Sequence, residues 1–216
     1  MPLIAPSILA ANLGRLEEEV RRVEAAGADW IHIDIMDGHF VPNLTMGPDI
    51  VRAVRAATTL PLDVHLMLTN PLDMVRPFAE AGADYISIHR EVVDDVEGAL
   101  RHIESFKKKA ALVINPDTAV ETVAPYISRA AMILVMSVHP GFAGQGFIES
   151  VLPKLERLRD LKERNRSSCL LEIDGGIKTA NIARATRAGA DVVVAGSGVF
   201  ATPDYRATIA AMKAAT

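Results

Sequence analysis

The chain is predicted to be an α/β protein forming one (β/α)8 barrel domain over residues 1–216, and three observations carry that expectation. Eight runs rich in Ile, Val and Leu alternate with stretches of helical periodicity, with no linker or composition shift between them. The runs are nearly continuous in apolar residues, as befits parallel strands covered by helices. One junction is written three times: EAAGADWIHID from Glu24, EAGADYISIH from Glu80 and RAGADVVVAG from Arg187. Each copy reads as a helix end, a glycine suited to a left-handed C′ position (Gly27, Gly82, Gly189), a short Ala-Asp turn and a β-branched strand. Eight such units close most economically into a barrel, ahead of a doubly wound open sheet.

In order, the first strand is placed at Ile4 to Leu9. In NLGRLEEEVRRVEAAG after it, Leu13, Leu16, Val20 and Val23 recur at helical spacing, Glu17 to Glu19 and Arg21 take the wet face, and Asn12 supplies an N-cap. Trp30 to Met36, Leu62 to Met67 and Tyr85 to His89 follow as strands, with helices in DIVRAVRAAT, PLDMVRPFAEAG and DVEGALRHIESFKKK. The fifth strand, Ala111 to Asn115, leads into a helix at AVETVAPYI, and the sixth, Met132 to Val138, into IESVLPKLERLRDLKERN. Leu170 to Asp174 precedes ANIARATRAG, and Val192 to Ala195 precedes DYRATIAAMKAA.

Composition removes several function classes. With 23 basic against 27 acidic residues and a net charge of −4, nucleic acid is an unexpected partner. Lys107 to Lys109, the sole cationic run, reads as a solvated helix end. Cys169 is the single cysteine, before a strand, and reads as a reduced buried thiol, which suits a cytoplasmic protein. No apolar stretch approaches a membrane span, and MPLIAPSILA enters a strand without a charged segment and apolar signal core, so no membrane partner is expected. Exposed barrel helices often bury apolar faces between subunits, so a homo-oligomer of unspecified size is expected.

A barrel places its chemistry at the C-terminal ends of the strands. His32, Asp34, His65 and Asp174 all fall there. His32 and Asp34, two apart on a strand, share one face, while Ile31, Ile33 and Ile35 turn the other way into apolar packing. Ionisable groups in such apolar segments need partners, and one divalent metal held by two imidazoles and two carboxylates satisfies all four. That donor set suits zinc, ferrous iron, manganese or cobalt better than calcium or magnesium. Glycines after the seventh and eighth strands, in DGGI and AGSG, let backbone approach a ligand and present N–H groups to an anion such as phosphate. A third glycine-rich loop, His139 to Gly146, is long enough to cover a bound substrate.

Other residues read more plainly. Asp37 beside Gly38 is a turn former or a support for the site, and His39, His89 and His139 either contact substrate or cap loops. His102 is a surface residue on a helix, and Lys178 a solvated one at a helix start.

The motifs IAPSILAAN, HIDIMDGHFVPN, DVHLM, MSVHPGFAGQ, EIDGGI and VAGSGVF, in this order and nearly end to end, resemble the ribulose-phosphate 3-epimerase family. The resemblance implies a barrel of the ribulose-phosphate-binding type, a divalent metal, and interconversion of D-ribulose 5-phosphate and D-xylulose 5-phosphate. By motif position it implies His32, Asp34, His65 and Asp174 as metal ligands, with Asp34 and Asp174 also the acid/base pair. It places Ser7, His65, Met36, Met67, Met136, Gly141, Phe142, Ala143, Gly144, Asp174, Gly175, Gly176, Ile177, Gly196 and Ser197 at the substrate and its phosphate, the methionines as a flexible apolar floor. The chemistry agrees. Inverting a carbon beside a ketone removes its hydrogen on one face and returns a proton on the other through an enediolate, work for two carboxylates near a cation.

Departures from the family pattern bear on the sugar. HREVVDDVEGALRHIESFKKKAALVINPDTAVE is less typical, with Lys-Ala-Ala where a glycine often precedes the fifth strand, and Thr45-Met46, Ala143 and Gly198 are further variations. Some resemble the related epimerase of allulose 6-phosphate, a hexulose phosphate; that enzyme tends to lack the second glycine of DGGI, which this chain keeps, and this favours the pentulose. A barrel decarboxylase or Schiff-base aldolase would need a lysine ending a strand, and no predicted strand ends in one. A catalytically silent sugar-phosphate-binding barrel would need no opposed Asp34 and Asp174.

Overall fold

Residues 1–215 are described by a computed structural model, so Thr216 of the predicted domain lies outside the described residues. Eight parallel strands, β1 (Leu3–Ala5), β2 (Ile31–Met36), β3 (Leu62–Met67), β4 (Tyr85–His89), β5 (Lys109–Ile114), β6 (Met132–Met136), β7 (Leu170–Asp174) and β8 (Val192–Val194), run in the order β1-β8-β7-β6-β5-β4-β3-β2. The His32 N–H donates to Pro6 O at 3.0 Å and Ser7 bridges His32, which brings β1 beside β2 and nearly closes the ring. Helices α1 (Leu16–Ala25), α2 (Pro48–Ala57), α3 (Pro71–Ala81), α4 (Val96–Ser105), α5 (Leu152–Arg164), α6 (Ile182–Ala188), a short α7 (Ser197–Phe200) and α8 (Tyr205–Ala214) lie between and after the strands.

Strand alternation makes two cores. Outward residues such as Ile31, Ile33, Ile35, Val64, Leu66, Ile86, Ile133, Ile173 and Val193 pack with helix residues including Val20, Val54, Phe78, Leu100 and Leu155 in one buried layer. Inside, Ala5, Trp30, Tyr85, Ala111, Met132, Val192 and Val194 fill the N-terminal end. Above them runs a polar belt of buried His32, Asp34, Asp63, His65, Ser87, His89 and Glu172. The strands can carry that belt because the outer layer already supplies the apolar burial that holds them.

The repeated junction has a physical reason beyond its glycine. Asp29, Asp84 and Asp191 each accept, at 2.8 Å, the N–H of a residue in a preceding strand: Ile4, Leu62 and Leu171 respectively. Each also pairs with a cation from a helix, Lys213 at 2.7 Å, Arg55 at 3.1 Å and Lys162 at 2.6 Å. One carboxylate thus ties strand, turn and helix. Gly27, Gly82 and Gly189 take φ of 97°, 114° and 119°, as the sequence predicts. At two other helix-to-strand junctions Lys107 (φ 59°) and Arg166 (φ 50°) adopt the same left-handed conformation without a glycine.

Asp29→Ala is expected to lower stability in urea by about 1.5–3 kcal/mol, the range for a lost hydrogen bond to a charged acceptor. It orphans the N–H of the fully buried Ile4 and frees Lys213. Arg76→Ala, which removes only a surface pair with Glu80, should change stability by less than about 0.5 kcal/mol. Equal effects would reject the tie.

Predicted elements differ most in four places, while β2 and β8 are each one residue shorter than predicted and β5 runs from Lys109 to Ile114. The first strand stops at Ala5, because Pro6 offers no N–H and Ser7 Oγ accepts from Leu9 N at 3.4 Å, turning Ile8–Ala10 into 3-10 helix. The sixth ends at Met136, where the Ser137 N–H and hydroxyl turn to Asp174 O. AVETVAPYI forms two 3-10 turns, Val120–Thr122 and Ala124–Tyr126, since Pro125 and four β-branched residues leave too little to propagate an α-helix. The fourth helix ends at Ser105, and Lys109 already belongs to β5. Asn12 caps a 3-10 turn, Leu13–Arg15, that leads into α1. Cys169 is buried, and burial pushes its thiol up to about 12. Among the described residues no helix is long and apolar enough to cross a membrane.

Candidate active site at the barrel mouth

β2 and β3 run in register, so that His32 lies opposite Asp63, Asp34 opposite His65 and Met36 opposite Met67. Asp34 Oδ1 thereby meets two imidazoles at once, His32 Nε2 and His65 Nδ1, each at 3.2 Å. Asp174, at the end of β7, brings Oδ2 within 3.9 Å of His32 Nε2. One donor atom from each of His32, Asp34, His65 and Asp174 lies within 4.8 Å of the others. All four predicted ligands therefore converge, with both histidines fully buried and Asp174 partly open to the mouth. Two imidazole nitrogens and two carboxylate oxygens on rigid strands, Asp174 at the end of β7 but His32, Asp34 and His65 within β2 and β3 instead of at the predicted strand ends, lie within one ion's reach and fit a borderline divalent metal.

The carboxylates are driven apart electrostatically. Burial works against the charge of Asp34, but His32 and His65 hold it well below the usual carboxylate range. Burial and the neighbouring Asp34 charge push Asp174 up to about 6. Burial opposes charge on His32 too, yet Asp34 and Asp63 raise it well above an ordinary histidine. Burial lowers His89 to about 4, so this imidazole is neutral at pH 7.

The open cavity above the four groups is lined by every predicted substrate residue except His65, which lies beneath Asp34. Met36, Met67 and Met136 make its apolar floor, and Ser7 Oγ donates to Asp34 Oδ2 at 2.6 Å. Gly141, Phe142, Ala143 and Gly144 overhang it, with Gly141 O accepting from Asn43 Nδ2 at 2.7 Å and Gln145 Nε2 bracing the loop at His139 O. Gly175, Gly176, Ile177, Gly196 and Ser197 also line it. A Cβ on Gly175 would meet Val138 at 2.7 Å and one on Gly176 the Phe147 backbone at 2.5 Å, and both have positive φ, so only glycine fits there. Helix α7 begins at Ser197, with Gly196 as its N-cap and no side-chain cap on its first N–H groups.

Asp37 is a turn former and more: Oδ1 accepts from His39 and Phe40 N–H, and Oδ2 from the Thr69 N–H and hydroxyl, all at 2.8 Å. These bonds outweigh desolvation and hold its carboxyl well below the usual range. His39 bonds its own turn and His139 pairs with Asp117 at 3.7 Å, both at the exposed rim. His102 and Lys178 are exposed, as expected.

Several supports escaped the sequence reading. Asp63 Oδ2 lies 2.6 Å from His32 Nδ1, fixing the ring so that Nε2 faces the site. Glu172 is fully buried behind His32, and burial beside Asp63 raises its carboxyl well above the usual range. Thr45 Oγ1 donates to Asp34 O at 2.7 Å and accepts from Met36 N at 3.0 Å. His89 neither caps a loop nor lines the cavity; its Nε2 lies 2.9 Å from His65 Nε2 and its Nδ1 3.1 Å from Glu91 Oε2. A signal existed: Asp63 and Glu172 stand two residues before His65 and Asp174, just as His32 precedes Asp34.

Comparison with known proteins agrees with this geometry. A profile described as the ribulose-phosphate 3 epimerase family matches residues 3–200. Ribulose-phosphate 3-epimerase of Synechocystis sp. is 46% identical over 213 residues, covering 98% of this chain and 93% of that one. The Serratia marcescens protein of the same name is 48% identical over 206 residues, covering 94% and 98%. In three dimensions a 3-hexulose-6-phosphate synthase from Salmonella typhimurium superposes with a TM-score of 0.73 at 14% identity, over 98% of this chain and 97% of that one, a likeness of fold alone. By profile and by identity over nearly its whole length, this chain belongs to the ribulose-phosphate 3-epimerase family of isomerases.

Proposed function

We propose that the chain interconverts D-ribulose 5-phosphate and D-xylulose 5-phosphate by inverting C3, with Asp34 and Asp174 as the acid/base pair. The observation that carries this reading is the convergence of two histidines and two aspartates within 4.8 Å, beneath a cavity walled by the DGGI and AGSG loops. Asp34 stays ionised and can take a proton, whereas Asp174, raised to about 6, can hold one near neutrality. Ser7 keeps Asp34 aimed by its 2.6 Å hydrogen bond, and the methionine floor excludes water from the reacting carbon. Backbone N–H groups around Gly176, Gly196 and Ser197 would take the phosphate and so position C3 between the carboxylates. His32, Asp34, His65 and Asp174 would hold one divalent ion, zinc, ferrous iron, manganese or cobalt. When bound, such an ion offsets negative charge developing on the sugar oxygens.

The partner is thus a small sugar phosphate. A cytoplasmic setting accords with the single buried thiol, and a homo-oligomer with large apolar groups such as Leu44 left 77% exposed. In deuterated water with metal supplied, the protein is expected to wash deuterium into C3 of ribulose 5-phosphate while producing xylulose 5-phosphate. No exchange would reject the reading. Faster turnover of allulose 6-phosphate in the same assay would move the substrate to the hexulose.

A further inference from the structure

The side chains of His89 and Glu91 do not line the cavity, yet they continue the site outward through an unbroken row of hydrogen-bond contacts. We propose that Glu91, acting through His89, is a positioning residue that holds His65 in the tautomer with Nε2 protonated and the Nδ1 lone pair turned toward Asp34 and the metal. This rests on the metal reading given above.

The argument is a count of hydrogens. Asp34 Oδ1 and His65 Nδ1 are 3.2 Å apart, His65 Nε2 and His89 Nε2 2.9 Å, and His89 Nδ1 and Glu91 Oε2 3.1 Å. Each of these three contacts needs one hydrogen. The carboxylates at the two ends bring none, and two neutral imidazoles bring one each. One contact must therefore go without. A cation between Asp34 and His65 uses lone pairs from both sides, so it belongs at the contact that lacks a hydrogen. The other two hydrogens then have a single arrangement: His65 Nε2–H donates to His89 Nε2, and His89 Nδ1–H donates to Glu91.

Glu91 is fixed as the acceptor that sets this direction. Its Oε1 accepts the Asn115 N–H at 2.8 Å and the Thr118 hydroxyl, which leaves Oε2 for His89. The loop supplying those donors is itself clamped, since Lys154 Nζ donates to Asn115 O at 3.2 Å and Thr118 O at 2.6 Å. His89 is fully buried, its ring within 23° of the His65 plane with centroids 5.0 Å apart, and packed against Phe40, so neither ring can turn to swap its nitrogens cheaply.

Glu91→Gln reverses the row almost without changing its shape. The Asn115 N–H cannot be inverted, so the amide oxygen of the new side chain must stay on that side and its NH2 must face His89 Nδ1. His89 then accepts at Nδ1 and donates from Nε2, and the His65 hydrogen moves to Nδ1, where it donates to Asp34. All three contacts are satisfied with no cation, and a cation has to undo them.

The test is Zn2+ titration of the full chain against a chromophoric competitor, paired with urea unfolding of the metal-free protein. Glu91→Gln is expected to weaken Zn2+ about 10–100-fold, the usual cost of losing a group that orients a ligand, while the metal-free urea midpoint stays equal or rises. Affinity within about twofold of the unsubstituted chain would overturn the proposal, and so would a parallel fall of affinity and metal-free stability, which marks a merely structural residue. An unsubstituted chain that binds no Zn2+ would instead remove the metal reading, and the proposal with it. His89→Gln gives a second arm, because its carbonyl can accept from His65 while its NH2 donates to Glu91. It should keep Zn2+ affinity within about threefold, whereas His89→Leu should lose about tenfold or more. Equal losses in both would overturn the relay.

Discussion

Asp174→Asn is expected to lower kcat by about 10³–10⁴-fold while KM moves by no more than about fivefold. Asparagine keeps the size of the side chain and one oxygen toward the site, so the Gly175, Gly176, Gly196 and Ser197 wall that would bind phosphate is untouched. What disappears is a carboxyl raised to about 6 by burial and by Asp34, a group that can hold and release a proton near neutrality. Asp34 remains ionised and fixed by Ser7, so from one of the two epimers it can still remove and return hydrogen on its own face. The expected signature is therefore solvent deuterium entering C3 without inversion, followed by NMR in deuterated water. Epimerisation within about tenfold of the unsubstituted rate would show that Asp174 is not half of the acid/base pair.

Stripping the metal with a chelator is expected to cost at least about 10³-fold in turnover, equivalent to about 4 kcal/mol of transition-state stabilisation, with recovery on adding Zn2+, Fe2+, Mn2+ or Co2+. Affinity should depend on pH with a definite sign. In the metal-free protein Asp34 and Asp63 hold a proton on His32 well above the ordinary histidine range, and the ion must displace it. Zn2+ should then bind about tenfold more weakly for each unit the pH falls from 7 to 6. Below about 6 the slope should steepen, because Asp174 also takes up a proton there. Competition titrations across this range read the slope directly. Flat affinity would mean that His32 is not a ligand, and full activity in the chelated protein would remove the metal from the mechanism.

Much of this was legible in residue order. Strands β3, β4 and β7 have the predicted bounds, because each is a β-branched or apolar run bordered by helix ends and turns. Failures came where an apolar run has no ladder partner. Ile8 and Leu9 look like strand in sequence but bend away after Pro6, and Val120 to Tyr126 has helical spacing without a helix. The loop glycines were read as a means of close approach to a ligand, and the structure adds a packing demand, since Gly198 has Ile177 O where a Cβ would lie, 2.2 Å away.

Residue order alone carried the strand period and the donor types of a candidate site. Alternation with period two put His32 and Asp34 on one face and the isoleucines on the other, and the motifs supplied the four metal-ligand candidates and the glycine walls. Which distant groups meet was set by the assembled fold. The register between β2 and β3 places Asp63 behind His32, and β4 sets His89 against His65, pairings separated by 31 and 24 residues in the chain. A residue's type and spacing describe the face it presents on its own strand. Which partner fills that face depends on strand order and stagger around the ring, properties of the closed barrel that no local stretch of chain contains.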